Sequence, residues 1–254
     1  RVGAAEGVIR TERGDAIPVV WLDRPLKRNA LTAPMIESLC HAVTAAGQDP
    51  AVRGLILAGA GPSTCAGVDL HEFATGTPQT MRRLIGLLAE ACAAIRRCPR
   101  PVAMAIQGHC FGAGLELACA CDLRVAAAGA LLGMPEVTLG IPSVIDAALL
   151  ERHVGLGRAQ ELVLTGDPIT AEQALDWGLV NLLAPADGLL EACRRLLDRA
   201  ARHDAATIGR QKRLVADWQN LPLDEAIARS QEELAESFVD GLPQRLSQER
   251  LNRR

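Results

Sequence analysis

One stretch constrains the fold more than any other, residues 102–126. Val102-Ala103-Met104-Ala105-Ile106 is a short apolar run, Gly108-His109-Cys110-Phe111-Gly112-Ala113-Gly114 is a glycine-rich turn, 115–121 has a helical pattern, and Leu123-Arg124-Val125-Ala126 is apolar again. Strand, turn, helix and returning strand in so short a span predict a sheet carrying helices on its face. The alternation also occurs upstream. Residues 17–22 and 55–58 predict strands. Met35, Ile36, Leu39, Cys40 and Val43 recur at helical spacing, behind Thr32 as N-cap and Pro34 in the first turn, with Gly47 as the expected end. A helix predicted over 79–97 carries Leu84, Leu87, Leu88, Ala91 and Ile95 on one face and stops at Pro99 and Pro101. Past residue 143 helical patterns dominate. Thr170-Ala171-Glu172-Gln173 reads as a capping box, Gly178 closes that helix, 179–183 is a short extended segment, and 189–240 is nearly all helical. The expectation is an α/β core over 1–190, with a helical C-terminal region over 191–254 packing on the core or on a neighbouring subunit.

Composition narrows the function. Nearly half of the 254 residues are hydrophobic, enough for a sizeable core. Three Phe, three Trp and no Tyr leave Ala, Leu and Val to fill it. A formal charge of −3 gives no pull toward nucleic acid. The eight cysteines (40, 65, 92, 98, 110, 119, 121 and 193) form no CxxC pair and lie mostly in apolar stretches, which predicts reduced thiols in a cytoplasmic protein. No apolar run approaches the ~20 residues of a membrane span, and no basic-then-apolar leader opens the chain.

The chemistry is concentrated in two glycine-rich segments that each precede a carboxylate. One runs from Gly108 to Glu116. The other is Met134-Pro135-Glu136-Val137-Thr138-Leu139-Gly140-Ile141-Pro142. A third element, Cys65-Ala66-Gly67-Val68-Asp69-Leu70, follows the strand at 55–58. Glycine lets backbone approach a ligand closely. Backbone N–H groups aimed at one oxygen form an oxyanion hole, and two nearby carboxyls can move protons beside it. Together they point to chemistry at a carbon next to a carbonyl. Glu116 lies between Leu115 and Leu117 in an apolar helix, so burial and a raised pKa are expected.

In this ordered set the chain resembles the enoyl-CoA hydratase/isomerase (crotonase) superfamily. Leu22-Asp23-Arg24-Pro25 with Asn29-Ala30-Leu31 is similar to the family's LNRP…NAL, and Cys65 to Leu70 to its FSAGxDL. Gly108 to Glu116 is similar to GxxxGGGxE, Cys121-Asp122-Leu123-Arg124-Val125-Ala126 to CDxRxA, and Met134-Pro135-Glu136 with Leu139-Gly140-Ile141-Pro142 to PE…LGxxP. The resemblance implies a crotonase-like (ClpP/crotonase) fold of repeated ββα units and a homo-trimer or a dimer of trimers. It implies hydration of a 2-enoyl-CoA to a 3-hydroxyacyl-CoA. The N–H groups of Val68 and Ala113 would hold the thioester oxygen, each worth ~3–4 kcal/mol, while Glu116 and Glu136 handle water and proton. Lys27 and Arg28 would grip the CoA nucleotide. Ala30, Ala66, Gly67, Asp69, Leu70, Gly112, Pro135, Leu139 and Gly140 would complete the substrate site. The basic run 194–213 would add to the CoA grip. No metal and no cofactor beyond the substrate's CoA is implied.

Two alternatives stay open at this level: an enoyl-CoA isomerase using mainly Glu136, and a catalytically silent homologue that binds CoA esters or RNA. The acidic balance and the scarcity of aromatic platforms disfavour RNA. One departure from the family stands out. Where many hydratases carry glycines, this chain reads Pro142-Ser143-Val144-Ile145-Asp146-Ala147-Ala148-Leu149-Leu150, which leaves acyl-chain length undetermined. His109 reads as a turn residue near the pocket. Gly59-Ala60-Gly61-Pro62-Ser63-Thr64 imitates a dinucleotide turn but lacks the third Gly.

Overall fold

The computed structural model describes residues 7–14 and 16–253. Its main sheet has six strands in the spatial order β1 (Val8–Glu12), β2 (Val19–Asp23), β3 (Leu55–Gly59), β4 (Val102–Ile106), β6 (Leu123–Ala127) and β9 (Leu182–Ala184). Only the β1–β2 pairing is antiparallel. Strands β3 and β4 are buried along their whole length, which explains their unbroken apolar sequences: a parallel strand covered on both faces has no polar side to alternate with. The side chains still divide by face. Val20, Leu22, Leu57 and Met104 join the larger core under the helices α1 (Ala33–Gln48) and α3 (Pro78–Arg97). Val19, Ile56, Ala58, Ala103, Ala105 and Val125 form a second core with Leu189, Ala192, Cys193 and Leu197 of α8 (Leu189–Ala201). The boundary expected between residues 190 and 191 falls inside α8, a helix laid on the back of the sheet.

A small second sheet, β5 (His109–Phe111), β7 (Leu131–Gly133) and β8 (Ile169–Thr170), stands beside the first. The short helices α2 (Leu70–Ala74) and α4 (Ala113–Ala120) flank it in sequence. α4 starts two residues before the predicted 115, so the glycine-rich segment is a short strand running into a helix rather than one long turn. Helix α1 continues past Gly47 to Gln48, and Gly47 lies close enough to Pro99 that a Cβ there would sit 3.1 Å from its ring. The capping box at Thr170 and Gln173 forms at the start of α7 (Ala171–Asp176).

Beyond α5 (Leu150–Val154) and α6 (Leu156–Thr165), the chain ends in α9 (Ala205–Asn220), α10 (Leu223–Glu236) and α11 (Leu242–Asn252). Charge pairing fixes α9. Lys212 Nζ meets the Asp122 carboxylate and donates to Arg100 O at 3.0 Å. Arg210 and Arg213 both reach Glu233 of α10, at 3.2 and 3.3 Å. Arg194 donates to Ile17 O at 2.7 Å. These four cations of the basic run thus hold the fold together. Among the described residues, no helix is long and apolar enough to cross a membrane.

Candidate active site

The site forms where three loops leave the sheet. The segment after β3 runs alongside β5: Cys65 N–H donates to His109 O at 3.0 Å and Phe111 N–H donates to Cys65 O at 2.9 Å. The same segment takes a second bridge from the loop after β2. There Leu31 N–H donates to Gly67 O at 2.8 Å, and Asp69 N–H donates to Leu31 O at 2.9 Å. In a parallel bridge of this kind Leu31 bonds the residues on either side of Val68, so the Val68 N–H is not used. Ala113 is the first residue of α4, where opening N–H groups have no acceptor within the helix. Two unengaged donors therefore sit on adjoining segments. Their adjacency is visible at Gly67 (φ +100°), where a Cβ would lie 3.3 Å from Phe111 O and 3.8 Å from Ala113 N.

Glu116 and Glu136 lie beside these donors. Glu116 is on the first turn of α4, 3% exposed, and its Oε1 has no partner. Burial, then the charges of Glu136 and Asp146, push its pKa up to about 8; the nearby N–H groups of Ala147 and Val144 act in the opposite sense. Glu136 sits on the 3-10 turn Pro135–Leu139. Burial raises its pKa too, while Ser143 Oγ, donating to Oε2 at 3.3 Å, works against the rise. Gly112 has φ +51°, and a Cβ there would collide with Glu136 Oε1, so glycine lets this carboxyl come up against the start of α4.

A cavity of about 380 Å³ joins these groups. Val68, Ala113, Glu116 and Glu136 line it, with Phe73, Met81, Ile85, Ile141 and Val144 supplying apolar wall. Of the expected substrate residues, Ala66, Gly67, Leu70, Gly112, Pro135 and Leu139 also line it. Lys27, Arg28, Ala30, Asp69 and Gly140 do not. Lys27 and Arg28 are exposed at the turn beyond β2, docked to the cavity's edge where Ala66 N–H donates to Arg28 O at 2.9 Å. Gly140 ends the 3-10 turn in the left-handed conformation. Asp69, expected to bind substrate, is engaged within the protein instead: it accepts from His71 N–H at 2.9 Å and pairs with Arg24, contacts that hold it below the usual carboxylate range. His109 faces Ser63 Oγ, 3.2 Å from its Nδ1, away from the cavity.

Sequence reasoning did not find Phe73, Met81 and Ile85. Met81 and Ile85 extend the apolar face of α3 toward its N-terminus, a signal the sequence offered, whereas Phe73 lies on the five-residue α2, too short to show a period. Ser143, met in the sequence only as part of the segment that departs from the family, engages Glu136 through its hydroxyl. Among the described residues, no group of three or more His, Cys, Asp or Glu gathers as for a metal ion.

The family described as enoyl-CoA hydratase/isomerase matches residues 12–240. The chain belongs to that family. It is an enzyme of this class, and its substrate is an acyl-CoA thioester. It is 32% identical to 2,3-dehydroadipyl-CoA hydratase of Escherichia coli (strain K12), over 87% of this chain and 86% of that one. To crotonyl-CoA hydratase of Syntrophomonas wolfei it is 33% identical, over 89% and 87%. The crystal structure of an enoyl-CoA hydratase from Mycobacterium smegmatis superimposes with a TM-score of 0.93 at 26% identity, covering 98% of both chains. The crotonase-like fold expected from the sequence is the fold observed.

Proposed function

We propose that this enoyl-CoA hydratase/isomerase family member adds water reversibly across the 2,3 double bond of a 2-enoyl-CoA, giving a 3-hydroxyacyl-CoA. The observation that carries this reading is a buried and a half-buried carboxyl beside two unengaged backbone donors in one apolar cavity. The thioester oxygen accepts from Val68 and Ala113 N–H as negative charge develops on it, with the positive end of α4 behind. One carboxylate takes a proton from water as the oxygen bonds to the β-carbon. The other carboxyl, protonated, gives its proton to the α-carbon, and the double-bond electrons pass through the enolate. The reaction thus needs the carboxyl pair singly protonated. Burial and mutual repulsion favour that state at neutral pH, because two such groups resist ionising together. The protein groups and the thioester supply all the chemistry of this scheme, with no metal or further cofactor.

Lys27 and Arg28, at the edge of the cavity, are proposed to meet the CoA nucleotide. A homo-trimer or a dimer of trimers is proposed on the strength of exposed apolar side chains on the last helices, Leu223, Leu234 and Leu251 each more than 60% exposed. Eight free cysteines, seven of them buried, support a reducing, cytoplasmic location.

The test is loss of the conjugated double bond of a panel of 2-enoyl-CoAs, for wild type, Glu116→Gln and Glu136→Gln. Each variant is expected to lose at least ~100-fold in turnover. Full activity in Glu116→Gln with a dead Glu136→Gln would replace hydration by double-bond isomerisation.

A further inference from the structure

The 3-10 turn Ile145–Leu149, in the segment that departs from the family's glycines, separates two cavities. Val144, just before it, lines the catalytic cavity. Ile145 and Asp146 line a second cavity, of about 680 Å³, between the end of α3 and α9. The turn is unusual in two ways. Ile145 has φ +51°, a left-handed conformation that a β-branched side chain adopts only when its surroundings impose it. Asp146 is 5% exposed and pairs with Arg96 of α3. The hydration scheme has no use for this buried acid. A strained turn persists only where other contacts hold it, and the Arg96–Asp146 pair is the charged contact between it and α3. The turn packs on α4, and the Ala147 N–H donates back to Val144 O at 3.0 Å, so Val144 is held by the turn it precedes.

We propose that Asp146 and Arg96 are positioning residues for Glu116: their ion pair holds the Ile145 turn against α4, and so keeps Val144 and the Glu116 carboxyl in place on the wall of the catalytic cavity. The kinetic part of this inference rests on the hydratase reading. The structural part does not.

The ionisable surroundings of Glu116 make the pair's effect measurable. Glu136 faces it from the Pro135–Leu139 turn, Asp146 from its own turn, Cys92 from α3 and Cys119 from α4. Burial pushes both thiols far above neutrality, Cys119 to about 12, so neither carries charge at working pH. Burial raises the Asp146 pKa, and Arg96 beyond it works against that rise. Removing the Asp146 charge deletes a repulsion that favours protonated Glu116 and leaves an unmatched guanidinium. Both changes lower the pH at which Glu116 ionises.

The experiment is a carbon-13 titration of the Glu116 carboxyl in the whole protein, wild type against Asp146→Asn and Arg96→Lys, with hydration kinetics alongside. In Asp146→Asn the titration is expected to fall by on the order of one pH unit, and kcat by about 10- to 100-fold with KM little changed. Arg96→Lys keeps the pair and should titrate like wild type. If Asp146→Asn does not fold, Asp146→Ser carries the same test. Wild-type kcat in a folded Asp146 variant overturns the proposal, since the titration answers to the lost charge whether or not the turn has moved. A wild type that hydrates no enoyl-CoA defeats the hydratase reading instead, and amide exchange over residues 144–149, faster in Asp146→Asn if the pair holds the turn and unchanged if it does not, still decides the role of the pair.

Discussion

Glu116 is a carboxyl held where solvent scarcely reaches, and the fold is less stable for it. Its pKa rises from 4.5 to about 8. Between those values the folded chain holds a proton that the unfolded chain has released, so stability declines as pH rises through that window and levels off above it. Glu116→Gln removes the titration. It should melt above wild type at about pH 9, with the difference closing toward about pH 5. A difference of the same size at both pH values, followed by circular dichroism, would contradict the burial that the mechanism relies on. Gly112 makes the opposite case, a residue that does its work by having no side chain. Gly112→Ala forces an alanine to φ +51° and drives its Cβ into Glu136 Oε1. The expected result is about 1–3 kcal/mol of lost stability from backbone strain, and a fall in kcat larger than any change in KM. Unchanged turnover in a folded Gly112→Ala protein would show that Glu136 has freedom to move aside.

At the scale of elements, the first residue of α4 offers an unusually clean test of a backbone donor. Proline is well tolerated at the first helical position, because the N–H it removes has no helical acceptor. Ala113→Pro should therefore keep its far-UV spectrum while losing about 100- to 1,000-fold in turnover, whereas Val68→Ala, which leaves its donor in place, should be mild. Equal, slight losses in both would remove these N–H groups from the mechanism. The long helices were legible in the sequence because their apolar residues recur at a fixed period, and the buried parallel strands because they are unbroken apolar runs. β1, α2 and the three strands of the small sheet were not. None holds more than two apolar residues in a row, and β5 lies within a segment whose glycines advertise a turn. The carboxyl pair and both donors were legible through ordered motifs with a chemical meaning. The Arg96–Asp146 pair was not, because its partners lie 50 residues apart and nothing local in the sequence joins them. Asp69 was misplaced for a related reason: its motif suggested substrate, while its partner Arg24 sits 45 residues upstream.

The molecule as a whole leaves its last three helices lightly held. Salt bridges pin α9 and α10 to each other and to the core, yet Leu223, Leu234, Val239 and Leu251 lie open. Apolar surface of that extent calls for a partner. Sedimentation at micromolar concentration should show a trimer or a hexamer, and a stable monomer there would exclude the proposed assembly. The two isolated bridges near Val68 and Cys110 carry a further consequence. They fasten together the loops that leave β2, β3 and β4, and the proposed donors hang from those fastenings. Fraying of a terminal helix leaves the arrangement untouched, but release of any one loop dismantles it. Turnover is then a census: at any moment it counts the molecules in which three distant stretches of chain are docked at once.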